Sequence, residues 1–410
     1  MKRSLSIEWI VVIAVALYAW SVWAHFPYGG GHIYSDIATV FQIRECGAVC
    51  RAPIPVPYVQ TFIEYPVGTA FFIYAMGFLG GLFPGPLLNN YYVATCFFLL
   101  IPTLLLIREM KVILSLRGLK QTRLLWFFIA TPTFLFALLA NWYVIGTVFS
   151  VAGLRFFLQG RRKTSGLLLG LSAASNLVTA VPIVGLILSE KRIRDAIVLG
   201  ASALATYALL NLPVYLLNPA NWLAFWRYQY TWYVEDSWML LFISSESPLR
   251  HVIPEILFAG LLLALLVLRF KFKVGDPVVL SFIGTFSFIF STYVYTPQMN
   301  VLLLPFFVVL PTIAGYPEFL VFDALNAVIV LGFSQGLPDF FAMFGIALSI
   351  NPWGLTSPVQ LAGIIRSFWV GKFAVRDGLI RKGAKQSIGN KNNRERPPLE
   401  TSRLPTEGDS

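Results

Sequence analysis

Apolar residues in this sequence fall in blocks of helical length, and the blocks recur from residue 7 to about residue 334. A half-buried strand alternates every second residue and a surface helix every third or fourth. Unbroken runs near 20 residues are what a hydrocarbon layer about 30 Å thick selects. The runs predict helices over 7–26, 124–140, 143–158, 195–217, 251–269, 276–294, 301–317 and 320–334, with a short run at 338–350. Two stretches depart from a simple up-and-down order. Residues 66–107 read as two runs split at Pro84–Asn90, and 164–189 is a single run with basic residues at both flanks. The pattern predicts an all-α polytopic membrane protein of about 9–11 transmembrane helices plus a broken or re-entrant helix pair, with no separate soluble domain.

Composition agrees: 57% of the 410 residues are hydrophobic and only 12% charged, against roughly 25% charged in soluble domains. That excludes a soluble globular, a disordered or a small disulfide-framework protein. The net charge of +11 acquires meaning once its residues are placed. Basic residues cluster at the amino terminus, Arg108–Arg123, Arg155–Lys163, Lys191–Arg194, Arg269–Lys273 and from Arg366 onward, leaving only Arg44, Arg51, Arg227 and Arg250 elsewhere. Positive residues remain cytoplasmic during insertion. The loops 27–65 and 218–250 are therefore expected outside, both termini inside, and the charge has no need of a nucleic-acid partner.

The same rule shapes the two irregular stretches. Both ends of 164–189 should be cytoplasmic, and about 25 residues cannot cross twice, so a pair of short helices bending near Asn176 is expected. Joining an external 27–65 to a cytoplasmic 108 requires one net crossing, so 66–83 should be partly inserted or strongly tilted. Residues 358–380 mix Arg366, Lys372 and Arg376 with Ile, Phe and Trp, as an interfacial helix would. The domain boundaries are a membrane domain over 1–375 and a basic, unstructured cytoplasmic tail over 376–410.

The external loops hold six acids: Asp36, Glu45, Glu64, Glu235, Asp236 and Glu246. Ser35–Arg44 has the spacing of a short helix with Ser35 as its N-cap, which puts Asp36 in the first turn beside Tyr34 and His32. Such a carboxylate can take a proton from a hydroxyl, or simply serve as a first-turn helix acid. Glu64 precedes Tyr65–Pro66 at the mouth of the next run, where it either binds substrate or marks the interface. The loop 218–250 is crowded with aromatics over Trp222–Trp238, interleaved with Arg227, Glu235 and Asp236. An interfacial aromatic belt explains the rings but not two vicinal carboxylates. Rings that stack on sugars and a guanidinium that grips phosphate explain both. Cys46 and Cys50 either pair or stay as thiols, while Cys96 falls within a run. Three histidines without helical pairing do not make a zinc site. No GxxxxGK[ST] loop is present. Asp276, Glu318 and Asp323 fall at cytoplasmic ends, where solvation accounts for them.

Four short motifs occur in the order found in a known family: Tyr34-Ser35-Asp36-Ile37 after the first span, Glu64-Tyr65-Pro66, Glu235-Asp236-Ser237-Trp238, and Thr296-Pro297-Gln298 before a late span. Over about residues 5–310 the chain resembles the GT-C integral-membrane glycosyltransferases, most closely the mannosyltransferase-like group that uses polyprenyl-phosphate sugars. The resemblance implies transfer of a hexose, mannose first, from a polyprenyl-phosphate donor to a hydroxyl of a glycan, lipid or protein at the extracytoplasmic face of the plasma membrane. Asp36 would be the general base, with inversion at the anomeric carbon and no obligatory metal or other cofactor. Arg44 and Arg227 would attend the donor phosphate, with Glu64, Tyr65, Glu235, Asp236 and Gln298 binding substrate. Two positions depart from the group. Asn141 stands where an acid is common, and Asn176-Leu177-Val178 where a lysine is. The residues also leave open a transporter or lipid-linked oligosaccharide flippase, and a non-catalytic assembly subunit of the same fold.

Overall fold

The computed structural model describes residues 7–27, 33–45, 53–334, 345 and 357–394, with side chains omitted for 44–45 and 377–394. Among these residues the regular structure is helical, with two isolated bridges at Pro57–Thr61 and Glu235–Val294. The first half comprises α1 (Ile7–Ala24), α2 (Asp36–Val40), α3 (Val67–Gly81), α4 (Leu87–Leu116), α5 (Thr122–Leu124), α6 (Pro132–Phe136), α7 (Tyr143–Leu158) and α8 (Arg162–Ser175). The second half comprises α9 (Pro182–Ser189), α10 (Ile193–Leu217), α11 (Pro219–Thr231), α12 (Leu249–Phe270), α13 (Pro277–Ser291), α14 (Asn300–Val309), α15 (Tyr316–Phe333) and α16 (Pro358–Arg394).

Among the described residues four helices, α1, α10, α12 and α15, are long and apolar enough to cross a membrane. Only 22% of the α10 span and 6% of the α12 span is buried within the protein. Leu204, Leu209, Leu212 and Leu216 of α10 point outward, as do Ile256 and Leu263 of α12. In water such faces would be an aggregation liability; against lipid tails they cost nothing, and the chain is a membrane protein on this ground.

Between the helices small residues permit close approach. A Cβ added at Gly185 of α9 would collide with the backbone of Leu280 and Ser281 on α13, and one at Gly170 of α8 with the Ala203 carbonyl on α10. The 164–189 stretch is the expected broken pair. α8 ends at Ser175, Asn176 is extended with its side chain accepting from the Val178 amide, and a 3₁₀ turn over Leu177–Ala180 leads into α9. α3, 15 residues long, packs along α4.

Three expectations are corrected. The run 124–140 is not one span: a π-helical segment (Leu125–Ile129) ends at Ala130, and Thr131–Pro132 restart the chain as α6. Proline cannot supply the amide that would continue the first helix, whereas it fits the first turn of the next. The 301–317 run is helical only to Val309. Residues 358–380 are not interfacial either; α16 packs between α13 and α15 with Val359, Ala362, Arg366, Val370 and Phe373 buried. Its backbone is helical to Arg394. The 338–350 run lies outside the described residues apart from Gly345.

One end of the bundle gathers the basic clusters. Arg117 donates two hydrogen bonds to Asp276, at 3.2 and 3.0 Å, Arg155 pairs with Glu109, and Arg162 with Glu190. Lys372 and Arg376 reach Glu318 at 2.7 and 2.5 Å. The opposite ends of the same helices, at Tyr143, Ser291 and Asn300, surround the acids of the two long loops.

Candidate functional site

Ser35 caps α2 as its position predicts: the backbone is extended and the hydroxyl oxygen accepts from the Ile37 amide at 3.2 Å. The same hydroxyl donates to the Leu139 carbonyl at 2.6 Å, and the Asp36 amide donates to Ala140 at 2.7 Å. The first turn of α2 is thereby pinned to the segment after α6, which carries Asn141. Asp36 is half-buried. Its Oδ1 accepts from the Tyr34 hydroxyl at 2.6 Å and its Oδ2 from the Asn141 amide at 2.7 Å, with the Gln298 amide 3.5 Å from Oδ2. Asn141 also donates to the Tyr65 hydroxyl at 3.3 Å, and the Tyr65 ring stands edge-on to Trp142 at 4.7 Å. Because Oδ1 of Asn141 accepts from the Trp142 amide, its NH2 group is the one turned to Asp36. Asn141 thus supplies a hydrogen-bond donor to the carboxylate, where an acid would supply a like charge.

The two loops are tied together. Asn221 of α11 donates to the Tyr58 carbonyl at 3.0 Å and Gln229 to the Glu64 carbonyl at 2.9 Å. Beyond α11 the chain reaches Glu235, whose amide donates to the Tyr293 carbonyl and whose carbonyl accepts from the Tyr295 amide, both at 3.0 Å. This two-bond bridge brings the acid pair to the segment that carries Gln298. Glu235 is 7% exposed and its Oε2 accepts from the Trp232 indole at 2.8 Å. Asp236 is fully buried in a left-handed backbone conformation (φ 51°), a region that non-glycine residues rarely adopt. Burial pushes the Glu235 carboxyl up to about 7, with the Asp36 charge adding to the rise while the Trp232 hydrogen bond and Arg366 oppose it. Burial and the neighbouring Glu235 hold Asp236 well above the ordinary carboxylate range, against the pull of Arg366.

Asp36, Tyr65, Gln298, Glu235 and Asp236 therefore meet at one end of the bundle, and Glu64 is buried at its edge. Arg227 is not part of this group. It lies on the exposed face of α11, and among the described residues no hydrogen bond or ion pair engages it. The Arg44 backbone lies in a π-helical segment that follows α2, but its side chain, like His32, Cys46, Cys50 and Arg51, is outside the described residues.

Sequence reasoning misplaced two charged residues. Asp323 is not a solvated helix end: it is fully buried on α15 and accepts from the amide of Thr133 at 2.9 Å and from its hydroxyl. Arg366, counted with the basic tail, is fully buried on α16. Its guanidinium donates to the Asn326 side chain and the Tyr295 carbonyl and lies 3.8 Å from the Tyr295 ring centre. The signal was available, since Arg366 is the one charged residue in 358–371, and an isolated charge in an apolar helix is seldom idle.

Comparison with protein families and with curated proteins gives no match. Among solved structures the chain is similar to that described as "Crystal Structure of ArnT from Cupriavidus metallidurans bound to Undecaprenyl phosphate", at 13% identity, over 96% of this chain and 82% of that one, with a TM-score of 0.45.

Proposed function

We propose that the chain is a GT-C-type integral-membrane glycosyltransferase that moves a hexose, mannose first among candidates, from a polyprenyl-phosphate donor to an acceptor hydroxyl. The observation that carries this reading is the meeting of Asp36, held from two sides by Tyr34 and Asn141, with the buried Glu235–Asp236 pair and Gln298. A transporter would spread its polar groups along a path; these converge at one end, opposite the basic clusters.

In the proposed reaction the acceptor hydroxyl enters beside Asp36, which takes its proton as the oxygen attacks the anomeric carbon. The bond to the donor's phosphate oxygen breaks on the opposite face, the configuration inverts, and the electron pair leaves with the phosphate. A lipid phosphate monoester leaves as a weak base, so the step needs neither a general acid nor a metal. Glu235 orients sugar or acceptor hydroxyls, with the fully buried Asp236 behind it. Gln298 fixes the outer edge of the Asp36 carboxylate. Arg227 is free to meet the phosphate from the exposed face of α11, and Arg44 is the second candidate for that role. With the basic ends cytoplasmic by the positive-inside rule, the site faces the outer side of the cell membrane.

The test is transfer of labelled hexose from polyprenyl-phosphate hexoses in membranes carrying the wild-type chain or Asp36→Asn. The asparagine keeps the size and loses the base, so kcat should fall about 10²- to 10⁴-fold. Equal transfer by both removes Asp36 as the base, and no transfer by wild type from any such donor removes the reading itself.

A further inference from the structure

Gly363, Arg366 and Ser367 occupy one face of α16, at the i, i+3, i+4 spacing that makes neighbours on a helix, and all three meet the acid pair or its support. A Cβ at Gly363 would come within 2.7 Å of the Asp236 Cα and 3.0 Å of its carbonyl carbon, so α16 runs against the Asp236 backbone itself. Ser367 donates to the Asp236 carbonyl at 3.1 Å. The left-handed conformation of Asp236 is a strained state that persists only where its surroundings impose it, and this face of α16 imposes it. Arg366 works on the other strand of the site. It grips the Tyr295 carbonyl and lies on the Tyr295 ring, while the Tyr295 amide holds the Glu235 carbonyl. Through Asn326, which donates to Thr133 at 2.8 Å and to the Pro297 carbonyl at 3.0 Å, it also braces the turn that carries Gln298.

We infer that Arg366, supported by Gly363 and Ser367, is a positioning residue of the transfer site, setting the Glu235–Asp236 pair and the Gln298 turn against Asp36 from a helix that carries no residue of that cluster. The inference rests on the function proposed above. Its charge acts as well as its hydrogen bonds. Glu235 feels Asp36 on α2 and Arg366, with Asp236 next to it in the chain, and Arg366 itself faces Tyr295, Asp236, Asp323 on α15 and Glu235, the cation among these groups. A buried cation facing several acids favours their ionised forms. Without it the carboxyls hold their protons to higher pH.

The experiment compares pH profiles of kcat and KM for wild type, Arg366→Lys, Arg366→Met and Gly363→Ala in the full-length chain, with thermal midpoints measured alongside. Arg366→Lys keeps the charge and loses the two-pronged grip with its stacking. It should lower kcat about 10-fold with KM little changed and the acidic limb unmoved. Arg366→Met should lower kcat further and move the acidic limb, where it follows ionisation of the Glu235–Asp236 pair that Arg366 faces, upward by about one pH unit. Gly363→Ala should lower kcat with the limb in place. A kcat for Arg366→Lys like that of wild type overturns the positioning role. Losses in both Arg366 variants that track thermal midpoint alone, with an unmoved limb in Arg366→Met, also overturn it. If Arg366→Met does not fold, Arg366→Lys decides by kcat at a wild-type midpoint. An inactive wild type strikes instead at the proposed function.

Discussion

Asp36 and Glu235 are both carboxylic acids of the two long loops, yet the fold gives them different surroundings. Asp36 is half-buried and ringed by donors; Glu235 is enclosed, with one indole donor and acids for neighbours. The raised affinity of Glu235 for its proton has a consequence for stability. Its folded value, about 7, lies above the ordinary carboxylate value, so it favours folding fully at low pH and loses that contribution as pH rises from about 4.5 through 7. Glu235→Gln keeps an oxygen for Trp232 and cannot ionise. The variant should have a higher thermal midpoint than wild type at pH 8, a smaller difference at pH 5, and weaker transfer throughout. A lower midpoint at pH 8 would contradict the enclosed environment of Glu235. Asp36 and Glu235 stand out in the sequence because few ionisable groups lie outside the basic clusters, whereas Gln298, which does not ionise, is marked there only by the resemblance of Thr296-Pro297-Gln298 to a family motif. Asn141 was legible only as a departure, since nothing in a linear sequence says that its amide faces Asp36 105 residues earlier.

At the level of elements, uninterrupted apolar runs translated well into α7, α10 and α12, whose ends fall within a few residues of the expected ones. The broken pair α8–α9 was readable from charge at both flanks and from its length, two constraints that one straight helix cannot satisfy. The break between Leu125–Ile129 and α6 was not read, because its apolar run continues unbroken through Pro132 and hydropathy is blind to a missing amide. The α9–α13 contact depends on Gly185, where any side chain meets backbone, which has no rotamer in which to yield. Gly185→Leu should destabilise the protein by about 1–3 kcal/mol, measured as a lower thermal midpoint in detergent. An unchanged midpoint would mean that α9 and α13 stand farther apart than described.

For the whole molecule, the separation of basic clusters from the acid cluster gives the orientation test. In a chain lacking its native cysteines, Arg227→Cys on the exposed face of α11 should react with an impermeant maleimide added outside intact cells. Lys191→Cys, exposed between α9 and α10, should react only after the membrane is opened. The reverse pattern would turn the site toward the cytoplasm. The location of Arg366 bears on how such a molecule is made. A lone arginine in the middle of an apolar helix costs about 2.5–3.5 kcal/mol to insert, and its partners Tyr295 and Asn326 belong to segments synthesised earlier. Synthesis therefore leaves the acid pair without its α16 contacts until that helix docks, and the docking of α16 is itself favoured only by partners already in place. Chains interrupted before α16 would enter the membrane with Asp236 and Tyr295 unbraced, so that docking of this one helix separates a merely inserted chain from one whose acid pair is held in place.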